Sequence, residues 1–131
     1  MIVADASVVL EVLLRTRRGL KMEARLLSSR ETLHAPHLID LEVCQVLRRY
    51  WLNKDLTADR AAAAVEDFQS IRIIRYPHRI FLDRIWELRK NMTTYDAAYV
   101  AIAETIGAPL LTTDKKLAST SNHSARIEFL G

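Results

Sequence analysis

Ile2-Val3-Ala4 is an uninterrupted apolar run that stops at Asp5. Such a run, with no polar alternation, suits a strand covered on both faces, as in a parallel sheet between two helical layers. The period then changes to three and four through Val8, Val9, Val12, Leu13 and Leu14, predicting a helix. A second helix is predicted over 18–30 with Leu20, Ala24 and Leu27 on its apolar face. Residues 33–36 read as a short strand that Pro36 stops. From His37 to about Asn53 the apolar positions 38, 41, 43, 44, 46, 47, 50 and 51 predict a helix with a broad buried face. Thr57 is the expected N-cap of an alanine-rich helix reaching Ser70. Residues 71–76 alternate loosely and end at Pro77, as an expected strand. Ile80, Phe81, Ile85, Trp86 and Leu88 mark another amphipathic helix. Thr93 or Thr94 caps a helix over 95–106 that Gly107 terminates. Leu110-Leu111-Thr112 is a further apolar strand, residues 119–124 are loop, and 127–129 form a last edge strand. Strands alternating with helices predict an α/β sandwich with a mainly parallel sheet.

Composition narrows the class. The chain has 131 residues, 50% of them hydrophobic, with three Gly and three Pro. That size and apolar content predict one domain spanning 1–131 and exclude disorder and low-complexity linkers. No apolar run reaches the ~18 residues that cross a bilayer. The first apolar stretch is broken by Asp5 and Glu11 and has no basic leader, so a signal peptide is not expected. One cysteine, Cys44, supports neither a disulfide framework nor a thiolate metal cluster. The expectation is a soluble, cytoplasmic protein without a membrane partner. Nineteen basic against sixteen acidic residues give a net charge of +3, compatible with a polyanionic partner without demanding one.

The acidic residues carry the functional signal. Asp5 ends one apolar strand and Asp114 closely follows another. Ligand sites of open α/β sheets lie beyond the carboxyl ends of the strands. Glu42 falls early in the helix after strand 33–36. Asp96 falls in the first turn of a helix that must run antiparallel to the strand it feeds. Chain topology therefore gathers Asp5, Glu42, Asp96 and Asp114 on one rim. Taken singly, Asp96 is explained as an acid favoured at a helix start, and Asp114 as a turn residue. Glu42 is harder to explain that way, because Leu38, Ile39 and Val46 surround it on the helix and a buried carboxylate needs a partner. Clustered carboxylates repel unless a cation intervenes. All-oxygen ligands select Mg²⁺ or Mn²⁺ over zinc, as one or two ions. Such an ion activates water against a phosphodiester.

The segments "VADAS", "APHLIDLE", "TTYDAAYVAIAE" and "PLLTTDKKL" together resemble the PIN-domain family, and more narrowly the toxin ribonucleases of VapBC toxin–antitoxin pairs. The resemblance covers essentially the whole chain. It implies a PIN-like (Rossmann-like) α/β/α sandwich with four to five strands and a Mg²⁺- or Mn²⁺-dependent endoribonuclease. The family's catalytic acids fall on Asp5, Glu42, Asp96 and Asp114, with Asp5, Asp96 and Asp114 as metal ligands. Thr112 falls on its T-x-D hydroxyl, expected to bond a metal-binding carboxylate. Where some members carry a further acid, this chain has Lys115 and Lys116, which argues against a complete second metal site and for phosphate contact. The implied partners are an RNA substrate, a VapB-type antitoxin covering the acidic groove, and a second copy in a homodimer. The rival readings are a non-catalytic PIN-like module that binds RNA or protein, and a housekeeping RNA-processing nuclease.

Other features are weaker. Arg15, Arg17 and Arg18 are candidate RNA contacts near the rim, with a solvated helix connection as the alternative. Arg48, Arg49, Arg72, Arg75 and Arg79 read as surface charge. Trp51 and Trp86 read as core or interface packing, and Tyr95 and Tyr99 mainly as core, with Tyr95 beside the site. Cys44 reads as a small buried hydrophobe. The four histidines show no ligand spacing, and Ser7 is expected to bond local backbone at a helix start.

Overall fold

The computed structural model describes residues 1–131. Five short strands, β1 (Ile2–Ala4), β2 (Leu33–Pro36), β3 (Ile73–Tyr76), β4 (Leu110–Thr112) and β5 (Ile127–Phe129), form one sheet in the order β3-β2-β1-β4-β5. Every pairing is parallel. β1, β2 and β4 are buried throughout, which explains their unbroken apolar runs. The chain leaves β1 toward β2 and β3 on one side, then returns to place β4 on the other. The junction of β1 and β4 is therefore the topological switch point, where such sheets bind ligands.

Between β1 and β2 lie α1 (Ala6–Leu13) and α2 (Arg17–Leu26); between β2 and β3, α3 (Leu38–Leu52) and α4 (Ala58–Ser70). A single 3₁₀ turn at Arg79–Phe81 leads into α5 (Leu82–Glu87) and α6 (Thr94–Ile106), and α7 (Lys115–Ala118) joins β4 to β5. The caps follow sequence: Thr57 accepts from the Arg60 N–H, Thr93 from the Asp96 N–H, and Gly107 ends α6 at φ +66°. That left-handed conformation favours glycine. Thirty-two buried hydrophobic residues form one continuous core around the sheet.

Several expected faces are corrected. α2 ends at Leu26 and buries Gly19, Met22 and Leu26, whereas Leu20, Ala24 and Leu27 are exposed. Gly19 sets that rotation: a Cβ there would stand 1.9 Å from the Glu11 carbonyl oxygen, so only glycine lets α2 close on α1. In α3 the buried stripe is the narrow series Ile39, Val43 and Leu47, and Leu41 and Cys44 face solvent. Trp51, Trp86 and Tyr95 are also exposed, which removes the core reading for all three. The expected helix at Ile80–Leu88 is a 3₁₀ turn followed by a short α-helix, and β3 begins only at Ile73. Arg75 is more than surface charge: its guanidinium donates to both Asp40 oxygens at 2.8–3.1 Å and lies over the Phe68 ring. No helix is long and apolar enough to cross a membrane.

Candidate active site

Asp5 stands immediately beyond β1, in the N-cap position of α1, yet its side chain caps nothing. Its carboxylate is held from the side instead. Oδ2 accepts from the Thr112 hydroxyl at 2.6 Å and from the Ser7 hydroxyl at 3.0 Å. Thr112 ends β4, the strand paired with β1, so the switch point itself brings the two together. The Thr112 Oγ1 in turn accepts from the Asp114 N–H at 2.9 Å, and Ser7 Oγ accepts from the Thr113 N–H at 3.0 Å. Two hydroxyls thus lace the carboxyl ends of β1 and β4. The bond expected from Thr112 is present. Ser7 differs from expectation, because it bridges to residues more than a hundred positions away rather than to its own backbone.

Glu42 lies on the second turn of α3, half-buried. Its Oε1 accepts from the Tyr99 hydroxyl at 2.6 Å. Tyr99, on α6, is 1% exposed. Tyr99 was legible from sequence as core but not as the residue that fixes Glu42. Asp96 occupies the first turn of α6. Asp114 caps α7 through Oδ1, accepting from the Lys116 and Leu117 N–H groups. The α7 turn had no apolar period to reveal it.

These four carboxylates share a field. Burial pushes the Asp5 carboxyl above its ordinary value despite the two hydroxyls, and Asp114 adds to the rise. Burial does the same to Glu42, reinforced by Asp5 and Asp96 and opposed by Tyr99. Asp96 is pushed up to about 6, first by burial and then by Asp5 and Asp114. None of the four takes part in an ion pair. Close like charges without a counterion raise proton affinity in this way, and a cation at the rim would relieve them.

The donor set is all oxygen and open to solvent on the Asp114 side. No three His, Cys, Asp or Glu side chains close on one point as a preformed cage. Carboxylates spread round an open rim fit Mg²⁺ or Mn²⁺, which keep several waters, better than zinc, which takes a closed tetrahedral set. Lys115 and Lys116 are exposed beside Asp114, and the Lys116 charge acts on Asp96.

The basic segment after α1 does not reach this rim, which corrects its expected placement. α1 starts at the carboxyl edge and runs eight residues away from it, about 12 Å. Arg15 lines a cavity of about 670 Å³ with Glu31, Thr32 and Leu33, at the opposite edge of the sheet. Arg18 is paired with Glu11 at 2.8 Å, and Arg17 is exposed on the same turn.

With that geometry in place, the family follows. The PIN domain model matches residues 2–122, and the chain belongs to that family. Within it the chain groups with the VapC ribonucleases. It is 38% identical to "Ribonuclease VapC12" of Mycobacterium tuberculosis over 99% of both chains. It is 40% identical to "VapC ribonuclease Mb0985" of Mycobacterium bovis, covering 92% of this chain and 91% of that one. Two solved structures share the fold. PAE2754 from Pyrobaculum aerophilum superposes with a TM-score of 0.68 at 23% identity, covering 96% of this chain and 81% of that one. Mycobacterium tuberculosis VapC20, described as a sarcin-ricin loop cleaving toxin, gives 0.65 at 15% identity, with 91% and 94% covered.

Proposed function

We propose that this chain hydrolyses RNA phosphodiester bonds as the toxin of a toxin–antitoxin pair, with a divalent cation held by Asp5, Asp96 and Asp114. One observation carries the reading: four carboxylates from four segments gather at the switch point with no basic partner, and burial with mutual repulsion raises the proton affinity of Asp5, Glu42 and Asp96. A scaffold has no use for such repulsion. Bound there, Mg²⁺ or Mn²⁺ supplies an activated water and offsets the charge developing on the phosphate.

The chain's own residues do the rest. Thr112 and Ser7 fix the Asp5 carboxylate, so one orientation is presented to the ion. Tyr99 holds Glu42 at the inner wall, where its free oxygen orients water toward the phosphate. Lys115 and Lys116, on the open side, hold the RNA backbone. The reading includes a VapB-type antitoxin over the acidic groove, a homodimer and a cytoplasmic location.

Cleavage of total RNA with Mg²⁺, Mn²⁺ or chelator tests it, comparing the wild-type chain with Asp96→Asn. Cutting that needs the metal and vanishes in the variant supports the proposal. Cutting that persists unchanged in the variant refutes the assignment, and no cutting of any RNA by the wild-type chain favours a binding module.

A further inference from the structure

The helices that bring Asp96 and Glu42 to the rim begin differently. α6 is capped from its own sequence, by Thr93 accepting from the Asp96 N–H. α3 is not: its N-cap residue, His37, has helical backbone angles, and its side chain makes no capping bond. An α-helix leaves its first N–H groups without intrahelical partners. In α3 the partners come from another segment. The Leu38 N–H donates to His78 Nε2 at 3.1 Å, forty residues further on, and the His37 N–H donates to the Tyr76 carbonyl at 3.1 Å. In the same turn Asp40 receives the Arg75 guanidinium on both oxygens. Three contacts therefore tie the start of α3 to residues 75–78.

That segment is itself seated on both sides of His78. Before it, the Tyr76 hydroxyl is hydrogen-bonded to Nδ1 of the buried His34 at 2.7 Å. After it, Phe81 is buried and meets the Tyr76 ring edge-on, with centroids 6.2 Å apart. The imidazole of His78 thus stands on a fixed base and presents Nε2 as an acceptor, a role that requires an unprotonated ring nitrogen. Glu42 follows Leu38 by one turn, about 6 Å along the axis. Its carboxylate has one hydrogen bond, from Tyr99 to Oε1. Tyr99 fixes that oxygen, and the direction of the other depends on where the α3 backbone stands. The buried stripe of Ile39, Val43 and Leu47 holds the helix against the core, and the ties from residues 75–78 fix the end from which Glu42 projects.

We propose that His78 is a positioning residue for Glu42. By accepting from the Leu38 N–H it fixes the start of α3, with the Arg75–Asp40 pair as a second tie. The free oxygen of Glu42 is thereby held where it orients the attacking water. His78 acts through the helix and touches neither RNA nor metal. This inference rests on the ribonuclease reading above and adds to it a residue outside the acidic cup.

The test measures kcat and KM on one RNA that the wild-type chain cuts, for His78→Ala, His78→Gln, Glu42→Gln and the double variant of His78→Ala with Glu42→Gln. Glutamine places an amide oxygen near the position of Nε2 and so restores the acceptor without the ring. Expected is a kcat lowered about tenfold in His78→Ala with KM unchanged. Most of the loss should return in His78→Gln, and His78→Ala should cost nothing further once Glu42 is glutamine. Amide hydrogen exchange reads the tie itself: the Leu38 N–H should exchange faster in His78→Ala and recover in His78→Gln. Unchanged kcat in His78→Ala, or the same fractional loss with and without the Glu42 carboxylate, overturns the proposal while leaving the ribonuclease intact. A raised KM at constant kcat also overturns it and assigns the imidazole to RNA contact. If the wild-type chain cuts no RNA with Mg²⁺ or Mn²⁺, the underlying reading is what fails, and the positioning role falls with it.

Discussion

Asp96 and Glu104 lie on the same helix, eight residues apart, yet their carboxyl groups are driven in opposite directions. Glu104 receives the Arg84 guanidinium on both oxygens at 2.9 Å, and the Ser124 N–H and hydroxyl as well. That pairing holds it near 2. Asp96 has no cation in contact and faces Asp5 and Asp114, which together with burial bring it to about 6. The same division runs through the molecule: Asp40 has Arg75, Glu128 has Arg25 and Glu11 has Arg18, while the rim carboxylates have none. Away from the rim these four acids, Glu11, Asp40, Glu104 and Glu128, are each paired with an arginine. At the rim the carboxylates are unpaired, and unpaired negative charge opposes folding until something positive arrives. The teaching is that an acid's partners, more than its residue type, separate architecture from chemistry.

The largest expected effect lies on the unpaired side. Asp5→Asn or Asp96→Asn should lower RNA cleavage by about a hundredfold or more, as loss of a group stabilising transition-state charge does. Neither substitution should destabilise the fold in metal-free buffer. Measured rates and melting curves on the same preparations check both halves of the statement.

Glu104→Gln should do the reverse. Cleavage persists, but stability falls by about 1–3 kcal/mol, the scale of lost charged hydrogen bonds. Denaturant titration reads the change. Equal effects of Asp96→Asn and Glu104→Gln on stability would erase the distinction between the two regions.

Ser7→Ala and Thr112→Val leave every carboxylate in place and remove the hydroxyls that hold Asp5, together with the bonds those hydroxyls accept from the Thr113 and Asp114 N–H groups. Each should reduce cleavage about tenfold, in the range typical of groups that orient metal ligands, and a double variant shows whether the hydroxyls act as a unit.

The mildest effect is on pH dependence. Folded Asp96 holds its proton more tightly than the unfolded chain does, its value rising from 3.8 to about 6. Its contribution to metal-free stability is therefore full below 3.8 and lost as pH rises through about 6. Glu104 goes the other way: its contribution is present above 4.5 and lost as pH falls through about 2. Metal-free melting followed from pH 4 to 7 should flatten in Asp96→Asn and keep its slope in Glu104→Gln.

What the sequence disclosed divides along similar lines. The strands at 2–4, 33–36 and 110–112 were legible because burial on both faces leaves an unbroken apolar run. The gathering of Asp5, Glu42, Asp96 and Asp114 was legible from topology, since each lies just beyond a strand or in the opening turns of a helix at the same sheet edge. Contacts across long separations were hidden. Nothing near Tyr99 announces Glu42, 57 residues away, and nothing near Ser7 announces Thr113. Hydrophobicity also misled where it was not occlusion. Leu41, Cys44 and Trp51 belong to the apolar pattern of α3, yet no element covers them. The α2 face turned on the small size of Gly19, whose neighbour on α1 no periodicity shows. Arg15 was misplaced because nearness in sequence to Asp5 says nothing about which end of a helix a residue occupies.

The most direct test is an equilibrium titration of the metal-free chain with Mn²⁺, following free ion by electron paramagnetic resonance. The account predicts saturable binding by the wild-type chain and by Glu104→Gln, and at least tenfold weaker binding by Asp5→Asn and Asp96→Asn. Undiminished affinity in both rim variants, or no binding by a wild-type preparation that cuts RNA, would contradict it.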